Sequence, residues 1–433
     1  MEPSRRSFLA RAGVLAVAPA FALPAPAAPR LPGGAGWEAV RAQFALNDAV
    51  IHMSALYIAS HPAPVREAIE RYRRELDANP VVYLSDHNRK RIGAVLDAAA
   101  RYLGARRADD IALTDSTTSG IGLVYHGLQL APGDEVLTTE QDYFVTHEAL
   151  RLAAERKGIE VRRVSLYEEV TETSEDELVS RLLAGVTPRT RALALTWVHS
   201  STGLKLPLAR IGEEVRRLNR ERGDDERILL CADAVHGFGV EDVTVRELGC
   251  DFFISGCHKW LFGPRGTGLV WGSEAGWARV LPTIPSFIDD GVFEAWRSGD
   301  EPEGRTDGRR LSPGGFKAYE HLWAVREAFE FCEAIGKRRI EERTHALAAQ
   351  LKEGLAGMRH VRLRTPRARA LCAGIVCFEV DGLNPWRAVD RLRRRDLAAT
   401  VTPYATRYVR LAPSIRNTPE EVERALAAVR SLA

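Results

Sequence analysis

Scarcity is the first thing this sequence shows. It has six cysteines in 433 residues (Cys231, Cys250, Cys257, Cys332, Cys372 and Cys377). None forms the paired spacing of a metal site. Cys231 and Cys377 sit inside apolar runs and read as buried thiols, and Cys257 reads as a small packing residue. Lysine is scarce as well: most of the 60 basic side chains are arginine. A net charge of +2 carries no nucleic-acid signature. Internal repeats are absent. At 45% hydrophobic residues, the length suffices for a large domain and a smaller one.

The N-terminus carries a targeting pattern. Ser4-Arg5-Arg6-Ser7-Phe8-Leu9 matches a twin-arginine motif, and an Ala-rich apolar stretch runs from about Ala12 to Leu23. Pro19 and Pro24 break that stretch, and it is too short for a transmembrane span, so no stable membrane anchor is expected. Ala20-Phe21-Ala22 and Ala25-Pro26-Ala27 are small-residue cleavage candidates. The expectation is a cleaved signal for the Tat export machinery and a periplasmic location. Folding before export makes disulfides unnecessary.

Beyond the signal and linker (1–30) comes an N-terminal segment (31–60). A helical pattern near Pro64–Leu76 then opens a large domain (61–305). Strand candidates fall at 111–114, 135–139, 161–165, 192–197, 228–232, 252–255 and 268–272, with helical patterns between most of them. That alternation predicts an α/β fold, a mostly parallel sheet covered by helices on both faces. The polar run Ser298–Gly308 reads as a loop. One long helical stretch over about Pro313–Leu355 leads into a C-terminal small domain (306–433 in all), with strands near 374–380 and 407–411 and a helix from Pro419.

Two segments carry chemistry. In Ser255-Gly-Cys-His-Lys-Trp-Leu-Phe-Gly-Pro-Arg-Gly-Thr-Gly268, Lys259 follows the apolar run Phe252-Phe253-Ile254, where a strand ends. A lysine there can form a Schiff base with an aldehyde cofactor, pyridoxal 5'-phosphate (PLP). Upstream, Arg227-Ile-Leu-Leu-Cys-Ala-Asp233-Ala-Val-His236 reads as a buried parallel strand ending in an aspartate. The carboxyl end of such a strand is where α/β proteins bind ligands. PLP needs a carboxylate there to keep its ring nitrogen protonated. The alternative role for Asp233 is a helix cap, and for Lys259 a solvated turn residue. Their order along the chain favours the cofactor.

With these motifs the chain resembles the class V aminotransferase family of PLP enzymes, over most of its length after about residue 35. The His258-Lys259-Trp260-Leu261 wording and Asn417-Thr418 are nearest to the isopenicillin N epimerase-like branch. The resemblance implies the aspartate aminotransferase-like fold (fold type I), with a seven-stranded large domain and an α+β small domain. It implies that Lys259 binds the cofactor and moves the substrate Cα proton, that Asp233 pairs with the ring nitrogen, and that His236 touches the ring or its phenolic oxygen. Thr117 and Thr118, in Leu113-Thr-Asp-Ser-Thr-Thr-Ser-Gly120, resemble the phosphate-binding pair at a helix start, and His258 would lie beside the phosphate. Tyr143, after Asp142, takes the place of the stacking ring. Ser200 takes the place of a donor to the phenolic oxygen, with His199 as its neighbour. Arg410 takes the place of the arginine that binds the substrate carboxylate, and Arg416 is a second candidate. Relatives are homodimers, and Gly314-Gly315 resembles the point where the neighbouring chain reaches the phosphate.

One departure narrows the activity. Cysteine desulfurases carry a nucleophilic cysteine shortly before that arginine. Ala398-Ala-Thr-Val-Thr-Pro-Tyr-Ala-Thr-Arg407 contains none, which argues against that reaction. The expected function is a PLP enzyme acting on the amino group of an amino acid or a peptidyl substrate. Together with the export pattern, the resemblance extends to periplasmic enzymes that tailor the glutamyl side group of pyoverdine-type siderophores. An amino-acid epimerase and a simple aminotransferase are the alternatives. A PLP-binding protein without catalysis is the competing class, and the set Lys259, Asp233 and Arg410 argues against it.

Overall fold

The computed structural model describes residues 33–433. The twin-arginine pattern and the Ala-rich stretch lie outside the described residues. Among the described residues no helix is long and apolar enough to cross a membrane.

Seven strands form the central sheet: β1 (Ile111–Thr114), β2 (Glu135–Thr139), β3 (Glu160–Val164), β4 (Thr190–Thr196), β5 (Leu229–Asp233), β6 (Phe252–Gly256) and β7 (Gly268–Gly272). Their order is β1-β7-β6-β5-β4-β2-β3. All neighbours run parallel except β7, which is antiparallel to both β1 and β6. The continuous apolar runs have a direct cause in this geometry. Leu229 and Cys231 of β5 enter one hydrophobic cluster, with helices Thr117–Gly127 and Phe144–Lys157. Leu230 and Ala232 enter the opposite cluster, with helices Pro80–Leu103, Leu208–Asn219 and Val325–Ile335. Side chains alternate between faces, so a strand covered on both sides has no polar face to show. Only β3, at the sheet edge, has exposed positions.

The expected single helix over 313–355 is a correction. Pro313–Ala318 is not helical, and the helices are Tyr319–Trp323, Val325–Ile335 and Lys337–Ala356. Gly336, with φ of +97°, leaves the right-handed region between the last two. The last helix packs with Pro419–Arg430 on a small antiparallel sheet of β8 (Val361–Leu363), β9 (Val376–Val380), β10 (Thr400–Val401) and β11 (Val409–Leu411), in the order β10-β11-β9-β8. The N-terminal segment joins this unit: Ile51–His52 pairs in parallel with Leu397–Ala398, and Met53 is buried in the same cluster.

Candidate active site

The carboxyl ends of the parallel strands open into a cavity of about 730 Å³ between the sheet and the small domain. Nine of the residues singled out above line it: Lys259, Asp233 and His236; Thr117, Thr118 and His258; Tyr143, Ser200 and Arg410. Register explains part of this convergence. Thr196, the last residue of β4, is opposite Asp233, the last of β5, and Asp233 is opposite Ile254 of β6, five residues before Lys259.

Burial sets the charges. The Asp233 carboxyl, 3% exposed, is pushed up to about 6 by desolvation, although the Val235 N–H donates to its Oδ1 (3.2 Å) and Lys259 is near. The Lys259 amine is pushed down to about 8 by desolvation, against the pull of Asp233. Its Nζ lies 3.4 Å from His236 Nε2. The Trp260 indole donates to His236 Nδ1 (3.4 Å), which leaves the imidazole proton on Nε2, facing the lysine. Burial holds His236 well below the usual histidine range, so the ring is neutral. His258 is held down at about 4 by burial and by Lys259.

Helix Thr117–Gly127 points its N-terminus into the cavity. Ser116 caps it by accepting the Ser119 N–H (3.1 Å), while the N–H groups of Thr117 and Thr118 have no intrahelical acceptor. Thr117 Oγ1 accepts the Gly256 N–H (2.8 Å) and so ties this helix to β6. A Cβ on Gly256 would stand 3.0 Å from the His258 ring and 3.2 Å from Thr117 Oγ1, a tight fit that would press on both site residues.

On the opposite wall, Arg410 is 4% exposed. Its Nη1 donates to the Ser200 carbonyl (3.0 Å) and its Nε to Thr400 Oγ1 (2.9 Å); both acceptors are neutral. Arg416 does not line the cavity. It faces Asp48 at 3.6 Å, a pairing its position in the sequence could not reveal. His199 is buried behind Ser200 with both ring nitrogens unpartnered, and burial lowers its pKa. Asp142 is a clamp: it accepts from Thr138 Oγ1 and the Thr139 N–H (2.8 Å each) and from the Thr196 N–H (2.5 Å), and so joins the tips of β2 and β4. Gly314 and Gly315 do not line the cavity of the single chain.

Three participants were missed in the sequence. The Thr196 hydroxyl is buried without a partner at the cavity wall, and its place at the end of an apolar strand, like that of Asp233, was the available signal. The Tyr404 hydroxyl shares a 2.9 Å hydrogen bond with Ser200 Oγ, and its ring meets Tyr143 edge-on at 5.9 Å. Tyr57, from the N-terminal segment, lines the mouth, and nothing in its local sequence marked it. Away from the cavity, Glu241, Glu341 and His345 converge, but their oxygens are already engaged. His345 (2.7 Å) and Lys205 (2.5 Å) take those of Glu241, and the Asp242 N–H (3.1 Å) and Arg369 (3.4 Å) take those of Glu341.

The donor set fits PLP. A carboxyl held up by burial would gain from a protonated ring nitrogen beside it, and a lysine amine made neutral near pH 8 can condense with an aldehyde. Free N–H groups at a helix start suit a phosphate.

Comparison with known proteins agrees. The aminotransferase class-V model matches residues 58–424. An isopenicillin N epimerase of Amycolatopsis lactamdurans is 30% identical over 410 residues, covering 92% of this chain and 98% of its own. That of Streptomyces clavuligerus is 27% identical over 402 residues, covering 90% and 96%. A probable cysteine desulfurase of Vibrio cholerae is 24% identical over 426 residues, covering 90% and 97%. Among solved structures, the C-DES enzyme with glycine covalently linked to its PLP cofactor superposes with a TM-score of 0.79 at 22% identity, covering 90% of this chain and 98% of its own. The architecture is therefore that of the fold type I PLP enzymes, and the chain belongs to the aminotransferase class-V family of PLP-dependent enzymes.

Proposed function

We propose that this enzyme acts at the Cα of an amino-acid or peptidyl substrate whose carboxylate is held by Arg410. The observation that carries this reading is the buried Arg410 guanidinium, which faces the cavity and is bonded only to neutral acceptors. A buried cation without a counter-ion is costly, and a bidentate carboxylate relieves that cost. Lys259 holds the cofactor and moves the proton at Cα. Asp233 would keep the ring nitrogen protonated, Tyr143 would cover a ring face, and Ser200 and His236 would serve the phenolic oxygen. Thr117, Thr118 and His258 hold the phosphate. The cofactor supplies an electron sink for the pair left at Cα.

Epimerisation is the reaction favoured here, supported by the two isopenicillin N epimerases among the relatives. A desulfurase is disfavoured: all six cysteines are buried, none lines the cavity, and burial pushes the Cys257 thiol up to about 12. The test is turnover in deuterated water. Solvent deuterium at Cα with inverted configuration supports epimerisation, and loss of the amine to give a keto acid, with no inverted amino acid formed, excludes it.

A second reading, tailoring of the glutamyl amine of a pyoverdine-type siderophore in the periplasm, is supported by the twin-arginine pattern at 4–9 and by a cavity large enough for the end of a peptide. A visible absorption band that shifts on adding a siderophore precursor supports it. Normal conversion of the glutamyl group in a deletion strain overturns it. A homodimer is part of the proposal: Phe287, packed against Gly314, is exposed, as are Phe293, Trp296 and Phe316.

A further inference from the structure

A buried lysine and a buried cysteine meet outside the active site. Lys352, in helix Lys337–Ala356, is 5% exposed, and Cys372 is 2% exposed. Lys352 Nζ donates to the carbonyls of Pro366 (3.1 Å) and Arg367 (3.0 Å) and lies 2.8 Å from Cys372 Sγ. Two features set this pair apart. First, none of the three partners is a carboxylate, although buried ammonium groups are ordinarily paired with one. Second, N–H···O bonds cluster near roughly 2.9–3.0 Å and sulfur is larger than oxygen, so 2.8 Å is a close approach of nitrogen to sulfur. Lys352 donates to the sulfur, while the Cys372 thiol points its own weak bond at the Arg369 carbonyl (3.9 Å), so a sulfur lone pair faces the amine.

We propose that Lys352 and Cys372 are an oxidation-sensitive pair that closes into a covalent Lys–N–O–S–Cys bridge, with peroxide as the oxidant. One peroxide converts the Cys372 thiol to a sulfenic acid and leaves as water. A second removes one hydrogen from that S–OH and one from the Lys352 amine as the O–N bond forms, and leaves as two waters. In sum, –NH₂ and HS– with two peroxides give –NH–O–S– and three waters. The separation already present is close to that of two atoms joined through one oxygen, so the backbone need not move. The strip Arg367–Ala370, which carries the Arg367 carbonyl and leads into Cys372, is exposed and gives a small oxidant its approach.

Position gives the bridge a consequence. Cys372 is paired as an antiparallel bridge with Leu204, and the Leu371 carbonyl accepts the Lys205 N–H (2.9 Å). This stretch therefore backs the loop that begins at Ser200 in the cavity wall. Closing the bridge fastens helix Lys337–Ala356 to the segment that supports that loop.

The experiment is intact mass spectrometry and peptide mapping of the holoenzyme after mild peroxide. The expected result is a gain of about 14 Da, one oxygen added and two hydrogens lost, on a linked peptide pair containing Lys352 and Cys372. Dithiothreitol should reverse it, and Cys372→Ser should lack it. Lys352→Gln serves as a second variant, and for both the cofactor absorbance reports folding. Oxygen added at Cys372 with Lys352 still free to acylation after denaturation would overturn the proposal. So would an unmodified pair in a protein whose other thiols have oxidised.

Discussion

Replacing Asp233 with Asn changes one atom of a buried carboxyl, and it should stabilise the cofactor-free protein while weakening cofactor binding. In the cofactor-free protein this carboxyl titrates at about 6 against an ordinary value of 3.8, because burial penalises its charge. A raised folded-state pKa means stability that is whole below about pH 4 and is lost as pH rises to about 6. The charged form therefore costs about 0.5 kcal/mol at pH 4 and about 3 kcal/mol at pH 7 and above, since each pH unit between the two values is worth about 1.4 kcal/mol. Asn keeps the acceptor for the Val235 N–H and carries no charge. The cofactor-free Asp233→Asn protein should thus be more stable than wild type by up to about 3 kcal/mol at pH 7–8, and by only about 0.5 kcal/mol at pH 4. With PLP that advantage shrinks to between zero and about 1.5 kcal/mol, since a charge-assisted bond to the ring nitrogen, worth about 1.5–3 kcal/mol, is lost and affinity falls by about ten- to hundredfold. Denaturant melts of the cofactor-free proteins across pH 4–8, with equilibrium titration by PLP, give both numbers. A cofactor-free variant less stable than wild type at pH 8, or a difference that ignores pH, would refute the argument from burial.

Other outcomes follow from the same geometry. PLP loading should accelerate with pH and level off above about 8, where Lys259 is deprotonated, and Asp233→Asn should move that midpoint lower, because Asp233 raises the lysine; stopped-flow absorbance reads it, and a rate still climbing at pH 10 speaks against it. Arg410→Ala should raise KM by about ten- to hundredfold with the cofactor spectrum unchanged, and Arg410→Lys should recover only part, lacking the planar fork. Tyr404→Phe removes the partner of the Ser200 hydroxyl and should weaken PLP binding by about fivefold, a net hydrogen bond of about 1 kcal/mol, without changing the melting temperature by more than a degree or two.

Much of the fold was legible because its signals are local. Most strands of the central sheet are short apolar runs, because burial on both faces leaves no polar face to show, and the edge strand β3 is the exception. The largest miss was the long helix expected over 313–355. Apolar and charged residues keep helical spacing through that stretch, and the loop at Pro313–Ala318 and the backbone at Ala324 and Gly336 interrupt it. The pairing of Ile51–His52 with Leu397–Ala398 joins residues far apart in the chain, and neither two-residue strand has a pattern of its own.

The candidate site divides the same way. Lys259, Asp233 and the Thr117-Thr118 helix start are visible in sequence because each follows an apolar strand, and a strand end in a parallel sheet is a place in space as well as in the chain. Arg410 and Arg416 are six residues apart and alike as text. Only the tertiary structure turns one into the cavity and sets the other against Asp48, because side-chain direction depends on strand register and packing. Tyr404 reaches Ser200 through the docking of the small domain on the large one, and Lys352 reaches Cys372 through the packing of its helix on the segment after β8. The sequence by itself determined the strand alternation, the lysine and its carboxylate partner, since these depend on neighbours a few residues away. The closing of the cavity, the choice of arginine and the lysine–cysteine contact were decided by tertiary structure alone, since they depend on distances between segments that no local pattern encodes.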